Sequence, residues 1–408
     1  METLKVAIVS DWFYPKIGGI ETHIHELALH LLKMGHEPHV ITHDYRKYKS
    51  KYRDDFPYPV HRFKGLLYSS RLHVSMGWRM LTKINELYKL ERFDLTHAHS
   101  MYSPMSITTS NISKGIRSTP VVLTNHSLFS WNNMIARSLL PLLRWSIKRV
   151  DVFIAVSRIV RRDTLRILRE KGSVKPVVII PNGVDTSFWR PPEPTERSEA
   201  RKRLGVDSSA TVISVVGRFT RRKRIHIVPK IVYKAWRREG GRVELVIVGD
   251  GELRGRVEDE ARKYMRPPWF KVRVEGFLPR HRLREVYWSS DIFLVPSRME
   301  AFSITALEAT ATGLPVVGFR GSGVADIVEA TGSGVLVFSE DEAVDAIVNL
   351  IRNVDTRMAM GEIGVTRVQQ IFSWPNVAEK VVETYRAALD SKNDGLFLLY
   401  KIWRMIKK

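Results

Sequence analysis

The chain is 408 residues long, enough for two domains of ordinary size, and its 44% hydrophobic and 26% charged residues fit a globular protein rather than a disordered or membrane-spanning one. It has no cysteine, which excludes disulfides, thiolate catalysis and cysteine metal sites and agrees with a reducing compartment. Its 65 Lys and Arg against 43 Asp and Glu leave a formal net charge of +22, which calls for an anionic partner (nucleic acid, anionic lipid or a phosphorylated substrate) or serves solubility alone.

Short apolar runs at 4–9, 39–42, 93–97, 121–124, 152–156 and 177–180 are the predicted strands of the first half. Those of the second half are 211–216, 243–248, 272–274, 292–295, 315–317 and 335–338. Most are rich in Val and Ile without strict alternation, as strands buried on both faces are. Amphipathic helical patterns such as 21–34 and 256–264 lie between them. Alternating strand and helix predicts an α/β protein, and two such series predict two doubly wound, Rossmann-like domains. The seam falls at 182–199, where Pro191, Pro192 and Pro194 interrupt any periodicity. The expected division is thus 1–185 and 186–375.

The end of the chain reads differently. Asn393-Asp394-Gly395 breaks a helix, and 396–408 then holds nine apolar or aromatic residues and four cations. Lys401, Arg404 and Lys408 share one helical face, with Lys407 beside it. At ~1.5 Å per residue this tail is too short to cross a bilayer. It reads as a basic amphipathic segment lying on an anionic membrane surface, or as a tail packed on its own protein. No apolar run reaches the ~18–20 residues of a membrane span, and 1–15 does not read as a signal peptide. The expected place is the cytoplasm, peripherally on the cytoplasmic face of a membrane.

Residues that can do chemistry follow the predicted strands, where open α/β sheets bind ligands. Strand 4–9 leads through a loop with Gly18-Gly19 into a helix; such a pair admits an anion or a sugar to backbone N–H groups, or makes a tight turn. His97 and His99 follow strand 93–97, and His126 follows strand 121–124. Each offers a hydrogen bond or a base to a ligand, or is a satisfied structural histidine. Strand 211–216 ends in Gly217-Arg218, with Arg221, Arg222, Lys223 and Arg224 close behind. That cluster suits a pyrophosphate, or is a solvated basic loop. Gly249-Asp250-Gly251 lacks the third glycine of the dinucleotide fingerprint.

Glu300-Ala301-Phe302-Ser303-Ile304-Thr305-Ala306-Leu307-Glu308 is the most informative run. Glu300 falls in the loop after strand 292–295, where a carboxylate can accept from sugar hydroxyls; Glu308 falls in the helix, where a buried carboxylate can accept from a ribose diol. Between them Phe302, Ser303 and Ile304 open the helix, whose free N–H groups face a phosphate. The plain alternative is two surface glutamates. No Asp-x-Asp pair is present, so no metal is expected. Arg218 and Lys223 take the part an ion would play on a departing diphosphate.

These runs, with Ile180-Pro181-Asn182-Gly183-Val184-Asp185 and Phe372-Ser373-Trp374, resemble glycosyltransferase family 4 over nearly the whole chain. The resemblance implies a retaining glycosyltransferase of GT-B architecture, two Rossmann-like domains facing a central cleft. It also implies that 376–395 crosses back onto the N-terminal, acceptor-side domain. It assigns Arg218 and Lys223 to the donor diphosphate, Glu308 to the ribose and Glu300 to the transferred sugar. Gly19 approaches the donor, with Gly18, Gly217, Phe302, Ser303 and Ile304 around it, and His126 lines the reaction centre. Ser303 and Arg224 stand where glycine is usual, a departure that bears on donor identity.

Ser10-Asp11-Trp12-Phe13-Tyr14-Pro15 and Asn125-His126-Ser127-Leu128-Phe129 look like the branch of the family that makes GPI anchors. That branch implies a UDP-GlcNAc donor, with GDP-mannose the alternative, and a phospholipid or glycolipid acceptor. The rivals are a catalytically inactive subunit that only binds nucleotide sugars, a basic nucleic-acid-binding protein without any recognised module, and a GT-B epimerase or phosphorylase. An epimerase needs an acid/base carboxylate set and a phosphorylase a pyridoxal lysine, and neither is evident.

Overall fold

The computed structural model describes residues 2–16, 18–44, 55–64, 67–69, 74–138, 140–169 and 175–390. The tail 396–408, expected at a membrane, lies outside them. The chain forms two compact units. One runs to Gly183 and takes up the chain again from Trp374; the other is Val184–Ser373.

The N-terminal unit is built on β1 (Lys5–Val9), β2 (Glu37–His43), β3 (Val60–Phe63), β6 (Leu95–His99), β7 (Val121–Asn125), β8 (Val152–Ala155) and β9 (Val177–Ile179), with a separate antiparallel hairpin of β4 (Leu67–Ser69) and β5 (Val74–Met76). The seven strands are parallel, in the order β3-β2-β1-β6-β7-β8-β9. In the second unit β10 (Thr211–Val216), β11 (Val243–Val248), β12 (Phe270–Glu275), β13 (Ile292–Val295), β14 (Val316–Phe319) and β15 (Gly334–Val337) form another parallel sheet, ordered β12-β11-β10-β13-β14-β15. Both are the doubly wound sheets expected. Helices cover both faces, so strands such as Val-Glu-Leu-Val-Ile-Val of β11 are buried along their whole length.

In each sheet the strand order reverses at one place: between β1 and β6 in the first and between β10 and β13 in the second. There the connections leave in opposite directions and open a crevice beyond the carboxyl ends. The loops after β1, β6, β10 and β13 are therefore where a ligand belongs.

Some elements differ from expectation. The strand expected at 93–97 is Leu95–His99, so His97 and His99 lie in the strand rather than after it. His97 is paired with Ile8 and His99 with Thr124. The helix after β1 begins at Gly19 itself (Gly19–Lys33), with Gly18 as its N-cap. β3 was unforeseen because Val-His-Arg-Phe, an edge strand paired only with β2, needs no apolar run. Pro191 to Pro194 does not divide the units. It leads into helix Pro194–Leu204, which Glu193 and Glu196 close with a reciprocal capping box.

The division falls at Gly183, inside the expected seam of 182–199 and two residues before the expected boundary; an added Cβ there would stand 2.5 Å from the ring of Trp374. The last described helix, Trp374–Asp390, buries Trp374, Val377, Ala378, Val381, Val382 and Tyr385 in the core of the N-terminal unit.

Candidate functional site

In the C-terminal unit the side chains that matter hang from the switch point. β10 is Thr-Val-Ile-Ser-Val-Val and ends at Gly217. A Cβ on Gly217 would find only ordinary contacts, 3.4 Å from Ile225 and 4.0 Å from Lys223. Its lack of a side chain thus bares backbone rather than relieving a clash. The close approach is one strand away. Gly249, at φ +140°, sits where a Cβ would be 2.0 Å from the Gly217 carbonyl oxygen, and Gly251 crowds the Phe219 backbone in the same way. The glycines of Gly-Asp-Gly let two loops touch, and Gly217 N–H bonds the Val248 carbonyl at 3.0 Å.

Arg218 is exposed and makes no ion pair or side-chain hydrogen bond among the described residues. Lys223 is held in a turn by its N–H to the Thr220 carbonyl, 3.1 Å, and its Nζ donates to Glu300 Oε2 at 2.7 Å. Arg224, in the place where glycine is usual, has a left-handed backbone, φ 56°. An L side chain there costs about 1–2 kcal/mol. Arg224 turns its guanidinium away, to Glu340 Oε1 at 2.5 Å and over the Phe319 ring.

Glu300 is buried in the loop after β13. Its carbonyl accepts from Gly323 N–H at 2.7 Å. Gly323 can have no side chain, since a Cβ would stand 2.2 Å from the Ala301 carbonyl oxygen. Helix Ile304–Ala311 follows, with Ser303 as its N-cap; the Ser303 side chain makes no capping bond, so the first N–H groups are not taken up by it. The Phe302 ring packs 6.3 Å from that of Phe372. Glu308 keeps a little solvent contact but is embedded deeply enough that desolvation raises its carboxyl to about 7, opposed by a hydrogen bond from Tyr287 and by the Arg280 charge. The Tyr287 hydroxyl donates to Glu308 Oε2 at 3.1 Å.

In the N-terminal unit a histidine cluster occupies the corresponding switch point. His23 comes from helix Gly19–Lys33, His97 and His99 from β6, and His126 from just beyond β7. His99 Nδ1 and His126 Nε2 are 3.1 Å apart, and the His97 and His99 rings are 4.2 Å apart. His97 is tied at both nitrogens, to the Tyr385 hydroxyl at 2.6 Å and to Thr124 Oγ1 at 2.7 Å. His23 lies against His126 and Trp374.

All four are pushed down by burial, His23 to about 4 and His97 to about 3, with neighbouring imidazoles adding to the fall at His97, His99 and His126. They are neutral at pH 7. Asn182 offsets a little of the shift at His23, but the two do not reach hydrogen-bond geometry.

The loop carrying His126 is fixed from behind. Asn125 Nδ2 donates to Thr164 Oγ1 at 2.9 Å and Asn125 Oδ1 accepts from Ser127 N–H at 3.1 Å. Asp163 accepts from Phe129 N–H at 2.7 Å and from the Trp131 indole. Gly18, by contrast, is crowded by its own chain: a Cβ would meet Glu21 Oε2 at 2.6 Å.

Of the residues named from sequence, the structure brings Gly217, Arg218, Lys223, Glu300, Ser303, Ile304 and Glu308 to one switch point. Gly18, Gly19 and His126 belong to that of the other sheet. Sequence reasoning passed over Asp11, a fully buried carboxylate after β1. It meets His43 Nε2 at 2.5 Å, the Ser103 hydroxyl, and the N–H of Met105 at 3.2 Å, in the first turn of helix Pro104–Arg117. Asp11 reaches that helix N-terminus only through the fold, across 94 positions, so no local signal marked it.

Residues 17–188 match the family model Glycosyltransferase Family 4, and residues 196–367 match Glycosyl transferases group 1. A phosphatidylinositol N-acetylglucosaminyltransferase subunit of Arabidopsis thaliana is 29% identical over 401 residues, covering 96% of this chain and 84% of that protein. The human protein of the same name is 26% identical over 389 residues, 94% of this chain and 76% of the relative. An uncharacterized glycosyltransferase of Methanocaldococcus jannaschii is 28% identical over 409 residues, 95% and 99%.

Among solved structures, Anabaena HepE in complex with UDP and glucose superposes with a TM-score of 0.76 at 18% identity, over 94% of this chain and all of that one. Sucrose-phosphate synthase from Thermosynechococcus elongatus gives 0.75 at 20%, over 95% and 100%. At such identity these two speak for the fold alone.

Proposed function

The chain belongs to glycosyltransferase family 4, with the GT-B fold, and on that premise we propose that it transfers N-acetylglucosamine from UDP-GlcNAc to an inositol phospholipid with retention of configuration. The observation that carries the reading is the Lys223–Glu300 pair at 2.7 Å, with the unpaired Arg218 close in sequence, at the switch point of β10 and β13. A nucleoside diphosphate there has two cations to meet. Lys223 has three N–H donors, and Glu300 takes one. The remaining two, with the forked guanidinium of Arg218, face diphosphate oxygens. Glu300 Oε1 is left to accept from sugar hydroxyls, and Glu308 from the ribose.

The bond from the anomeric carbon to the diphosphate oxygen breaks as the acceptor oxygen bonds to that carbon from the same face. The acceptor proton passes to the leaving phosphate oxygen. Lys223 and Arg218 stabilise the charge that develops on it, so this reading needs no metal. The family resemblance assigns His126 to the reaction centre in the same reading. The sugar and the acceptor are drawn from the relatives whose names include phosphatidylinositol and N-acetylglucosaminyltransferase. An anionic membrane surface reached by 396–408 belongs to it as well.

The test is a thermal-shift panel of UDP, GDP and ADP in the presence of a chelator, followed by transfer of labelled N-acetylglucosamine to phosphatidylinositol vesicles. UDP at ~100 times its dissociation constant should add about 2.7 kcal/mol of stability. Lys223→Ala should fold and turn over ~10²-fold more slowly. Near-normal turnover of that variant removes Lys223 from the leaving-group role. A shift with GDP alone moves the donor to GDP-mannose, and no shift with any nucleotide overturns the donor site.

A further inference from the structure

We propose that His23, His99 and His126 form a binding site for one divalent transition-metal ion of the zinc class. One ring nitrogen from each lies within 4.8 Å of the other two. The pair His99 Nδ1 and His126 Nε2, at 3.1 Å, already stands near the roughly 3.3 Å that separates two imidazole nitrogens on a tetrahedral ion with ~2.05 Å bonds.

The second observation is one of unmet polar atoms. Both nitrogens of His23, Nε2 of His99 and Oδ1 of Asn182 are buried and make no hydrogen bond among the described residues. A neutral imidazole always has one lone pair and one N–H. Leaving such nitrogens dry is costly. An ion held by His99 Nδ1, His126 Nε2 and one nitrogen of His23 would take up one of the two unmet His23 nitrogens. It requires no proton release, only a tautomer change at whichever of His99 and His126 now donates to the other.

The donor set selects the ion. Three imidazoles with neither thiolate nor carboxylate suit Zn²⁺, Co²⁺, Ni²⁺ or Cu²⁺ and do not suit Mg²⁺ or Ca²⁺. Three protein ligands leave a fourth position open to solvent or a hydroxyl. The outer shell is ordered: His97 packs against His99 with its ring tilted and is pinned by Tyr385 and Thr124, and Trp374 lies 5.2 Å from His23. The other candidate group, His39, His61 and Glu91, is a poorer site. Its carboxylate, Glu91, is committed to Lys5 at 2.6 Å. Because His126 belongs to the reaction centre proposed above, an ion here also inhibits transfer; the binding measurement itself does not depend on that reading.

The experiment titrates Co²⁺ and Zn²⁺ into the full chain, made without a polyhistidine tag and stripped with chelator. Expected are one ion per chain, visible Co²⁺ absorption bands of low-coordinate type, and displacement of Co²⁺ by one equivalent of Zn²⁺. His23→Gln and His99→Gln should each weaken binding by ~100-fold or more, since even indirect partners of metal-ligating histidines account for 10–100-fold. His39→Gln should leave binding unchanged. The wild-type Co²⁺ adduct should also show three paramagnetically shifted imidazole N–H protons, a readout that stands if a variant fails to fold. Fewer than three such protons, or binding indifferent to His23 and His99, overturns the site. Tight binding without inhibition supports the site and removes His126 from the reaction centre.

Discussion

Glu308 is a carboxyl whose environment disfavours its charge: desolvation holds it at about 7 against an ordinary value of 4.5. The folded protein therefore binds a proton there more tightly than the unfolded chain does. The associated stability is fully present below pH 4.5 and is lost as pH rises through 7, a change of about 3 kcal/mol for a shift of this size. In Glu308→Gln that part of the decline should vanish, which urea unfolding of both proteins at pH 4.5, 6 and 8 would reveal. The same titration bears on the proposed donor. A ribose diol wants a group that only accepts, so UDP affinity should rise between pH 6 and 8 in the wild type and stay level in Glu308→Gln. Equal slopes in the two proteins would separate Glu308 from the nucleotide. Glu308 was legible in the sequence as a carboxylate on a helix after a buried strand. Its raised pKa was not, because burial in the folded core sets it, and the Tyr287 hydroxyl that opposes the shift comes from helix Arg280–Ser289, on the other side of β13 in the chain.

At the scale of elements, the switch points depend on glycines that bring backbones into contact. Gly249→Ala adds a side chain both at φ +140° and 2.0 Å from the Gly217 carbonyl oxygen, so the ends of β10 and β11 must part. We expect a loss of about 3 kcal/mol or more, combining backbone strain with overpacking. Nucleotide binding should weaken as well, because Gly217 and Arg218 move with the carbonyl. Gly255→Ala, in helix Arg254–Tyr264 with nothing near its Cβ, is the control and should be neutral or slightly stabilising. Unchanged nucleotide affinity in a folded Gly249→Ala protein would show that the glycine serves packing only. Strand positions could be read because Val-rich runs buried on both faces look alike wherever they occur. β3 and the registers of His97 and His99 could not, since an edge strand carries no such run and a histidine paired inside a sheet looks, in sequence, like one in a loop.

For the whole molecule, the charge of +22 sets long-range behaviour. Attraction to an anionic surface is screened over ~8 Å at physiological salt. Binding to vesicles containing phosphatidylinositol should therefore fall steeply as salt is raised. Removing 396–408 takes away four cations, each worth about 1 kcal/mol near such a surface, and the apolar residues among them. Vesicle flotation should be lost while UDP-GlcNAc hydrolysis in solution persists. Flotation that survives the truncation would place the membrane contact elsewhere on the chain.

The sequence by itself determined the parallel α/β class, the two series of strands, the family, and the run from Glu300 to Glu308, since each is written locally as a pattern of residue types along one stretch. Only the tertiary structure decided which residues meet. It paired Lys223 with Glu300 across 77 positions, set Tyr385 against His97 across 288, and gathered three histidines from a helix, a strand and a loop into one buried group. Such encounters depend on strand order and on which faces pack together, and neither is encoded in the residues' spacing along the chain.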